Sequence, residues 1–279
     1  MMRSMFSAIS GLKVHQVLLD VVANDIANVN TVGYKSERAS FKDAISQLQR
    51  GASAPTTDLG GTNPAQIGLG VQLNSIDNQM QSGAIQSTGG TFDVAIQGDG
   101  FFRVSTFDGT NFGEMNYTRA GNFTTDSDGY LVTQEGLYVV GYPVDNTGVP
   151  TAGPDQRIQI PTNAKSISIG QNGVVTVVDD TGATTYPGAI SLAKFPNDAG
   201  LERISSNRFR ESNNSGTPSA NIAGTNGLGV LTPGALEMSN VDLAQEFTTM
   251  ITAQRGFEAN SRIITTADQM LQALVNLGR

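Results

Sequence analysis

The chain has 279 residues, and its 17 Lys and Arg against 25 Asp and Glu give a formal net charge of −8; it contains one His and no Cys. This composition excludes disulfides, thiolate metal sites, a cysteine nucleophile and multi-histidine zinc sites. An acidic chain without a run of Lys and Arg is not expected to bind nucleic acid. No run approaches about 18 consecutive apolar residues, and the N-terminus lacks a small-residue cleavage site, so we expect neither membrane insertion nor a cleaved signal peptide.

The first predicted element is an amphipathic helix of roughly 25 residues at the N-terminus. Its apolar side chains recur every three or four residues and form one stripe: Met5, Ile9, Leu12, Leu19 and Ile26. The polar residues Lys13 and Asp20 lie mostly off this stripe. The segment 28–33, which contains Asn and Gly, is expected to end the helix.

In the middle of the chain, the pattern changes to apolar and polar residues that alternate with period two. Short strands separated by Gly-bearing turns are predicted at 91–96, 101–104, 117–123, 130–133, 138–142, 158–160, 166–169, 174–178 and 190–195. Strands at this spacing indicate a central antiparallel β domain over 90–204. The flanking segments 35–89 and 205–238 are predicted to be extended connectors, because Gly, Ser, Thr, Asn and Pro are frequent in their Gly-rich stretches.

The last predicted element is a helix of about 36 residues that starts near Val241 and is capped by Ser239 or Asn240. Its apolar stripe repeats every three or four residues: Leu243, Phe247, Met250, Phe257, Ile264, Leu271 and Leu274. The sequence therefore predicts an α+β fold that is mainly β, with paired, coiled-coil-like terminal helices and a central antiparallel β domain.

The two terminal stripes need an apolar surface to cover them, since long helices alone in water are marginal. They either pack on each other and on neighbouring subunits, or lie across the β domain as ordinary core. We favour assembly because Gly- and Pro-rich connectors separate both ends from the middle. This interpretation groups 1–34 with 239–279 as a terminal helical assembly domain.

The sequence predicts no catalytic, cofactor-binding or metal site. His15 lies on the first predicted helix, where a surface or interface residue is expected rather than a catalytic base. The Gly98-Asp99-Gly100 segment is read as a turn because no Lys-Ser/Thr pair and no helix follow it. Asp126-Ser127-Asp128-Gly129 lacks the third acidic ligand and the later Glu of a calcium loop, so it is also read as a turn.

Six segments, at both ends and in the middle of the chain, have the character of family motifs. They are SAISGL at 7–12, NVNTVGYK at 28–35, DVAIQGDGFF at 93–102, YTRAGNF at 117–123, LEMSNVDL at 236–243 and MITAQRGFEANS at 250–261. Together they resemble the motifs of the bacterial flagellar rod and hook proteins. The residues that we take as the family motif are Asn24, Asn28, Asn30, Gly33, Tyr34, Ser239, Asn240, Gln254 and Arg255.

The resemblance implies a tubular homopolymer with the terminal helices inside and the β domain outside. It also implies export through the flagellar type III apparatus without a cleaved signal. The further partners it implies are the distal rod protein, the hook cap protein and the hook–filament junction protein. The polymer interface is then expected to consist of the two apolar stripes given above.

Within this family, the main hypothesis is an extracellular hook subunit that transmits torque as a flexible joint. The segments that resemble the hook protein are FKD at 41–43, GGTNPAQIGLGV at 60–71, Asp242-Leu243 and Gly256-Phe257. The alternative is a distal rod subunit of the basal body, to which the length is closer. The sequence leaves open whether 141–160 form a separate outer domain. A secreted β-rich enzyme or binding module for cell-wall polysaccharide is the alternative from a different class.

Overall fold

The computed structural model describes residues 2–55, 60–151 and 153–278, apart from the side chains of Met2 and Leu277. Residues 56–59 of the first predicted connector, Ala152 and the last residue of the predicted C-terminal helix lie outside the described residues. The chain divides into two units: unit 1 contains 1–27, 37–78 and 242–279, and unit 2 contains 28–36 and 79–241. The predicted fold class is confirmed, because helices occupy the two ends and antiparallel strands the middle.

Unit 1 consists of the two terminal helices and a β ribbon. Its elements are α1 (Met2–Ala27), β1 (Glu37–Asp43), β2 (Ser46–Arg50), β3 (Ala65–Gly68), β4 (Val71–Asn78) and α2 (Leu243–Leu277). The ribbon is a nested antiparallel arrangement in which β1 pairs with β4 and β2 pairs with β3. The helix α1 packs along α2 and contacts β1 and β4.

The N-cap of α2 differs from the predicted one. Asp242 has extended backbone angles, and its side chain accepts hydrogen bonds from the backbone N–H groups of Ala244 and Gln245. Either Ser239 or Asn240 was expected in this role, and that expectation is wrong. The reason is that Asn240 makes hydrogen bonds within unit 2, which leaves the next carboxylate along the chain to satisfy the free N–H groups of the first turn.

Unit 2 is built from sixteen short strands within the described residues. They are β5 (Ile85–Ser87), β6 (Val94–Gln97), β7 (Phe101–Phe107), β8 (Phe112–Thr118), β9 (Thr124–Thr125), β10 (Leu131–Val132), β11 (Tyr138–Tyr142), β12 (Gln156–Arg157), β13 (Ala164–Ile169), β14 (Val174–Asp179), β15 (Thr184–Lys194), β16 (Glu202–Arg203), β17 (Arg208–Arg210), β18 (Ser219–Ile222), β19 (Val230–Pro233) and β20 (Ala235–Glu237).

Most of these strands join one antiparallel sheet, whose order is β13-β14-β15-β11-β7-β8-β17-β16. The strands β9, β10, β12 and β18 attach to its sides, while β19 pairs with β6 and β20 with β5. The core of unit 2 contains large apolar side chains from many strands, including Phe102, Ile158, Ile190 and Leu231. A second cluster forms around Phe101, whose ring makes edge contacts with other Phe rings.

The two segments predicted as extended connectors contain strands. The first, 35–89, forms β1 to β5, because its apolar residues alternate along paired strands. The second, 205–238, forms β17 to β20 and lies within unit 2. Its turn residues do separate short strands, but those strands pair with distant partners such as β6 and β15, which composition does not reveal.

The segment 141–160 belongs to unit 2. After β11 the chain makes a small hairpin in which Val144 pairs with Pro150 and the Gly148 N–H donates to the Asp145 carbonyl. It then returns to the sheet as β12, which pairs with β11. The described residues of this segment therefore form a loop on the sheet.

Candidate assembly surface

The two helices of unit 1 meet along a seam of small residues. A Cβ atom on Gly11 of α1 would lie 2.6 Å from Asn260 Nδ2 of α2, and one on Gly256 of α2 would lie 2.6 Å from His15 Nε2 of α1. Glycine inside a helix costs about 1 kcal/mol relative to alanine. The close approach explains why it is used here. His15, expected at a surface or interface, lies in this seam.

These contacts also establish the direction and register of the two helices. Gly11 faces Asn260 and His15 faces Gly256, and the carboxylate of Asp25 interacts with that of Glu246. As residue numbers rise along α1, the numbers of the facing residues on α2 fall, so the helices are antiparallel. In this register Met2 lies opposite residue 269, and the last eight residues of α2 extend beyond the start of α1 by about 12 Å.

Large apolar side chains are not buried in unit 1. Its buried apolar residues, among those described, are all Ala or Val: Ala8, Val14, Val21, Val22, Ala253 and Ala267. Five residues of the predicted interface are exposed: Ile9, Leu243, Phe247, Phe257 and Leu274. The other seven are half-buried: Met5, Leu12, Leu19, Ile26, Met250, Ile264 and Leu271. The helix pair thus presents its large side chains outward.

Several exposed apolar residues were not included in the predicted interface. They flank the two stripes: Phe6, Ile251, Ile263, Met270 and Val275. A strict repeat of three or four residues selects a narrow stripe and omits such neighbours. A wider apolar arc, which the same sequence contains, would have included them.

A buried ion cluster in unit 2 was also missed. Glu237 is fully buried, with its Oε1 2.6 Å from Lys35 Nζ and its Oε2 3.2 Å from Arg119 Nη1. The N–H of Gly83 donates to the same Oε1 at 2.9 Å. All three charged residues lie in motifs quoted for the family resemblance. In a chain with only 15% charged residues, charges inside such motifs were an available signal.

Burial shifts the pKa of charged groups in both units. Desolvation lowers the pKa of Lys35, and the attraction of Glu237 opposes this shift. In unit 1, desolvation raises the pKa of Glu246, and the nearby carboxylates of Asp25 and Asp242 raise it further. Lys35 therefore lies beside an opposite charge in unit 2, whereas Glu246 lies beside like charges in unit 1.

Three stretches of the chain match known protein families. Residues 5–35 match the flagella basal body rod protein family, residues 95–177 the flagellar hook protein FlgE/F/G D1 domain, and residues 232–277 the flagellar basal body rod FlgEFG protein C-terminal region. Along its full length the chain is 52% identical to the flagellar basal-body rod protein FlgG of Bacillus subtilis (strain 168), with 100% of both chains covered. The chain belongs to the flagellar rod and hook protein family.

Other members of the rod and hook family align with nearly the whole of this chain. FlgG of Borreliella burgdorferi is 40% identical over 285 positions, with 100% of both chains covered. The flagellar hook protein FlgE of that organism is 30% identical over 447 positions and covers 99% of this chain and 100% of its own. These relatives are structural proteins of the rod and hook, so the chain is a structural protein and not an enzyme.

The family motif residues before unit 2's first strand have distinct places. Asn24 is exposed near the end of α1 and Asn30 is exposed just after it. Asn28 accepts a hydrogen bond from the Thr31 hydroxyl at 3.1 Å. Gly33 has a φ of +68°, which favours glycine, and Tyr34 is buried with its ring 4.7 Å from the Arg203 guanidinium carbon.

The motif residues near the C-terminus divide between the units. Ser239 accepts a hydrogen bond from the N–H of Val241 at 3.3 Å, and Asn240 is bonded to two other segments of unit 2. Gln254 and Arg255 are exposed on α2. Like the apolar stripe, these two side chains are therefore available to other molecules.

Two expected absences stay predictions. In the described ranges no group of three or more His, Asp or Glu side chains could hold a metal ion. Arg3–Ala27 of α1 reaches a mean hydropathy of 1.3 in an 18-residue window, so length and composition alone would let it cross a membrane. This is weak support for a span, because core helices and signal sequences reach the same values.

Proposed function

We propose that the chain is a subunit of the distal flagellar rod and that it polymerises into a tube through unit 1. The observation that carries this proposal is that a single copy buries none of the described large apolar side chains of the two terminal helices: many on α2 are exposed, and most on α1 are half-buried. Burying apolar surface contributes roughly 25 cal/mol per Å². In a polymer of this family, neighbouring copies of the subunit supply the surfaces that cover these side chains.

The shape of the exposed region supports a filament. Exposed apolar side chains occur along α2 and continue onto its overhanging end, where Met270, Leu274 and Val275 are exposed; on α1 the exposed ones are Phe6 and Ile9. An overhang and a helix face are different surfaces. A contact between two different surfaces is heterologous, and it produces an open helical polymer when the rotation does not close.

The relatives favour the rod over the hook, which was the main hypothesis from the sequence. The FlgG relatives at 52% and 40% identity align with this chain end to end without long gaps. The FlgE alignment needs 447 positions for a chain of 279 residues, so that hook protein carries long insertions that are missing here. The hook-like segments at 41–43 and 60–71 are therefore common to both branches under this proposal.

The assembly proposal is tested by electron microscopy of Phe257→Asp. Phe257 is 39% exposed on α2, so a carboxylate there should not disturb unit 2 but should be costly inside an apolar subunit contact. We expect no polymer from this variant. Phe257→Leu, which keeps an apolar side chain, is the matched control and should polymerise. Normal polymers from Phe257→Asp would overturn the interface.

The assignment to the rod is tested in a strain that lacks the gene. Basal bodies isolated from it should lack the outer part of the rod and carry no hook. A strain that keeps a complete rod and lacks only the hook would support the hook alternative instead. Complementation with the wild-type gene controls for effects on neighbouring genes.

The proposed partners are other copies of this chain and the adjoining axial proteins. Export through the type III apparatus as an unfolded chain is part of the same proposal. It is supported by unit 1, which buries no large side chain among its described residues and so gains little stability before assembly. The hook cap and hook–filament junction proteins remain partners under the hook alternative.

A further inference from the structure

The chain passes between the two units four times, and three of these passages start close together in unit 2. The passages follow Ala27, Ser36, Asn78 and Val241. Ser36 is the last residue of unit 2 before the ribbon, and Gln79 is the first residue after it. Asn240 lies two positions before Asp242, the N-cap of α2, where the chain returns to unit 1.

These three residues form a closed ring of hydrogen bonds. The N–H of Ser36 donates to Asn240 Oδ1 at 2.8 Å, and Asn240 Nδ2 donates to the Gln79 carbonyl at 2.9 Å. The N–H of Gln79 donates to the Ser36 carbonyl at 2.8 Å. Because each member contacts the other two, none of the three segments can shift without breaking at least one bond of the ring.

The ring stands next to the buried ion cluster, which ties the same three segments together a second time. Glu237, three residues before Asn240, holds Lys35 from the first segment and the Gly83 N–H from the second. Lys35 Nζ also donates to the Gln81 carbonyl at 2.8 Å. The Glu237 carbonyl accepts from the Gly33 N–H at 2.8 Å. Buried charged hydrogen bonds of this kind are stronger than neutral ones.

We propose that Asn240 and Glu237 are positioning residues. Together with Ser36, Gln79 and Lys35 they form a cluster that we call the clasp. The clasp fixes the three segments where the chain leaves unit 2, so that a load on unit 1 enters the β unit through three connections at once. A single connection would concentrate the same load on one short segment. This inference rests on the proposed function, since only an assembled rod carries such a load.

Hydrogen exchange tests whether the clasp exists. Asn240→Ala removes the acceptor of the Ser36 N–H and the donor to the Gln79 carbonyl. The Ser36 amide loses its own partner, and the Gln79 amide loses the support of the ring that holds it on the Ser36 carbonyl, so both should exchange about 3- to 10-fold faster, as expected for the loss of a typical hydrogen bond. Asn221→Ala, which removes a side-chain amide that donates to Ser219 Oγ at 3.3 Å, is the control. Exchange at Val104 in the core should not change in either variant.

Asn240→Asp separates the two halves of the ring. It keeps the acceptor for the Ser36 N–H but places a carboxylate against the Gln79 carbonyl. The Ser36 amide should then stay as slow as in the wild type, while the Gln79 amide should exchange faster. Unchanged exchange in Asn240→Ala, or equal acceleration at Val104, would overturn the clasp.

Shearing of polymers tests whether the clasp carries load. Polymers of Asn240→Ala should break into shorter pieces than those of Asn221→Ala under the same sonication, measured by electron microscopy. Equal lengths would overturn the mechanical role even with faster exchange. If the wild-type chain forms no polymer, the proposed function and the mechanical role fail together, whereas the exchange comparison still decides whether the clasp exists.

Discussion

Unit 2 buries Phe101, Phe102 and Phe209, whereas unit 1 leaves Phe247 50% and Phe257 39% exposed. All but three of the exposed large apolar side chains in the described residues belong to unit 1, although it is the smaller unit; the exceptions are Ile85, Val149 and Val230. The seam that holds the two terminal helices together places Gly11 against Asn260 and Gly256 against His15, and it buries no large apolar side chain among the described residues. One unit therefore completes its core within a single chain, and the other leaves many of its large apolar side chains exposed.

The contrast indicates how one chain can be folded and assembled in separate steps. A complete core gives unit 2 stability on its own, since burial of large side chains is the dominant favourable term in folding. Under the proposed assembly, unit 1 reaches a comparable burial when other copies cover α1 and α2. Each prediction below concerns either the stability of unit 2 or the helix pair of unit 1.

The largest effect is expected in unit 2 from Glu237→Gln. The variant keeps the size of the side chain but leaves the charges of Lys35 and Arg119 buried without a counterion, which should destabilise unit 2 by about 3–5 kcal/mol. Urea unfolding followed by circular dichroism measures this change. The control is Glu202→Gln, whose exposed pair with Arg210 should contribute nothing measurable. Equal midpoints for the two variants would contradict a structural role of the buried carboxylate.

The second effect concerns the whole of unit 1 in the soluble monomer. Limited proteolysis should cut within 1–27 and 242–279, because these helices bury only Ala, Val, Gly11 and Asp25 among their described residues. The cuts should stop before 33–36, which are buried in unit 2. Mass spectrometry of the fragments identifies the boundaries. Full protection of both ends in a verified monomer would remove the difference between the two units.

A smaller effect is expected at the helix seam from Gly256→Ala. The added methyl group gains roughly 1 kcal/mol in helix propensity, but it meets the His15 ring at 2.6 Å, and such overpacking costs about 1–3 kcal/mol. We expect a net loss of helix stability in the assembled polymer, followed by circular dichroism at 222 nm during heating. In a His15→Ala background the same change should stabilise the helices. The same sign in both backgrounds would contradict the seam contact.

The smallest effect is a pH dependence in unit 1. Because the pKa of Glu246 is raised by burial and by Asp25 and Asp242, the folded state binds more protons than the unfolded state just above the ordinary carboxyl pKa. The stability of the helix pair should therefore fall as the pH rises through this window. Glu246→Gln should flatten the dependence, measured as the helical signal of the polymer against pH. Glu258→Gln, at an exposed position on the same helix, is the control and should leave the curve unchanged.

Local patterns determined the elements that depend on neighbouring residues. The repeat of three or four residues predicted both helices, which the structure forms as Met2–Ala27 and Leu243–Leu277. The alternating pattern likewise predicted β11 and β14 within about one residue. In contrast, only Tyr117 and Thr118 of the predicted strand 117–123 lie in a strand, at the end of β8, and β9 starts beyond the predicted segment at Thr124.

The sequence by itself determined the periodicity of the helices and strands, the family, and which side chains are apolar. Only the tertiary structure decided which of those side chains a single chain covers, because Gly11 and His15 meet α2 through contacts that no local pattern encodes. It also decided the partner of Glu237, which lies 202 residues from Lys35. A local pattern indicates which face of a segment is apolar. A contact between residues so far apart in sequence forms only when the fold brings their two segments together.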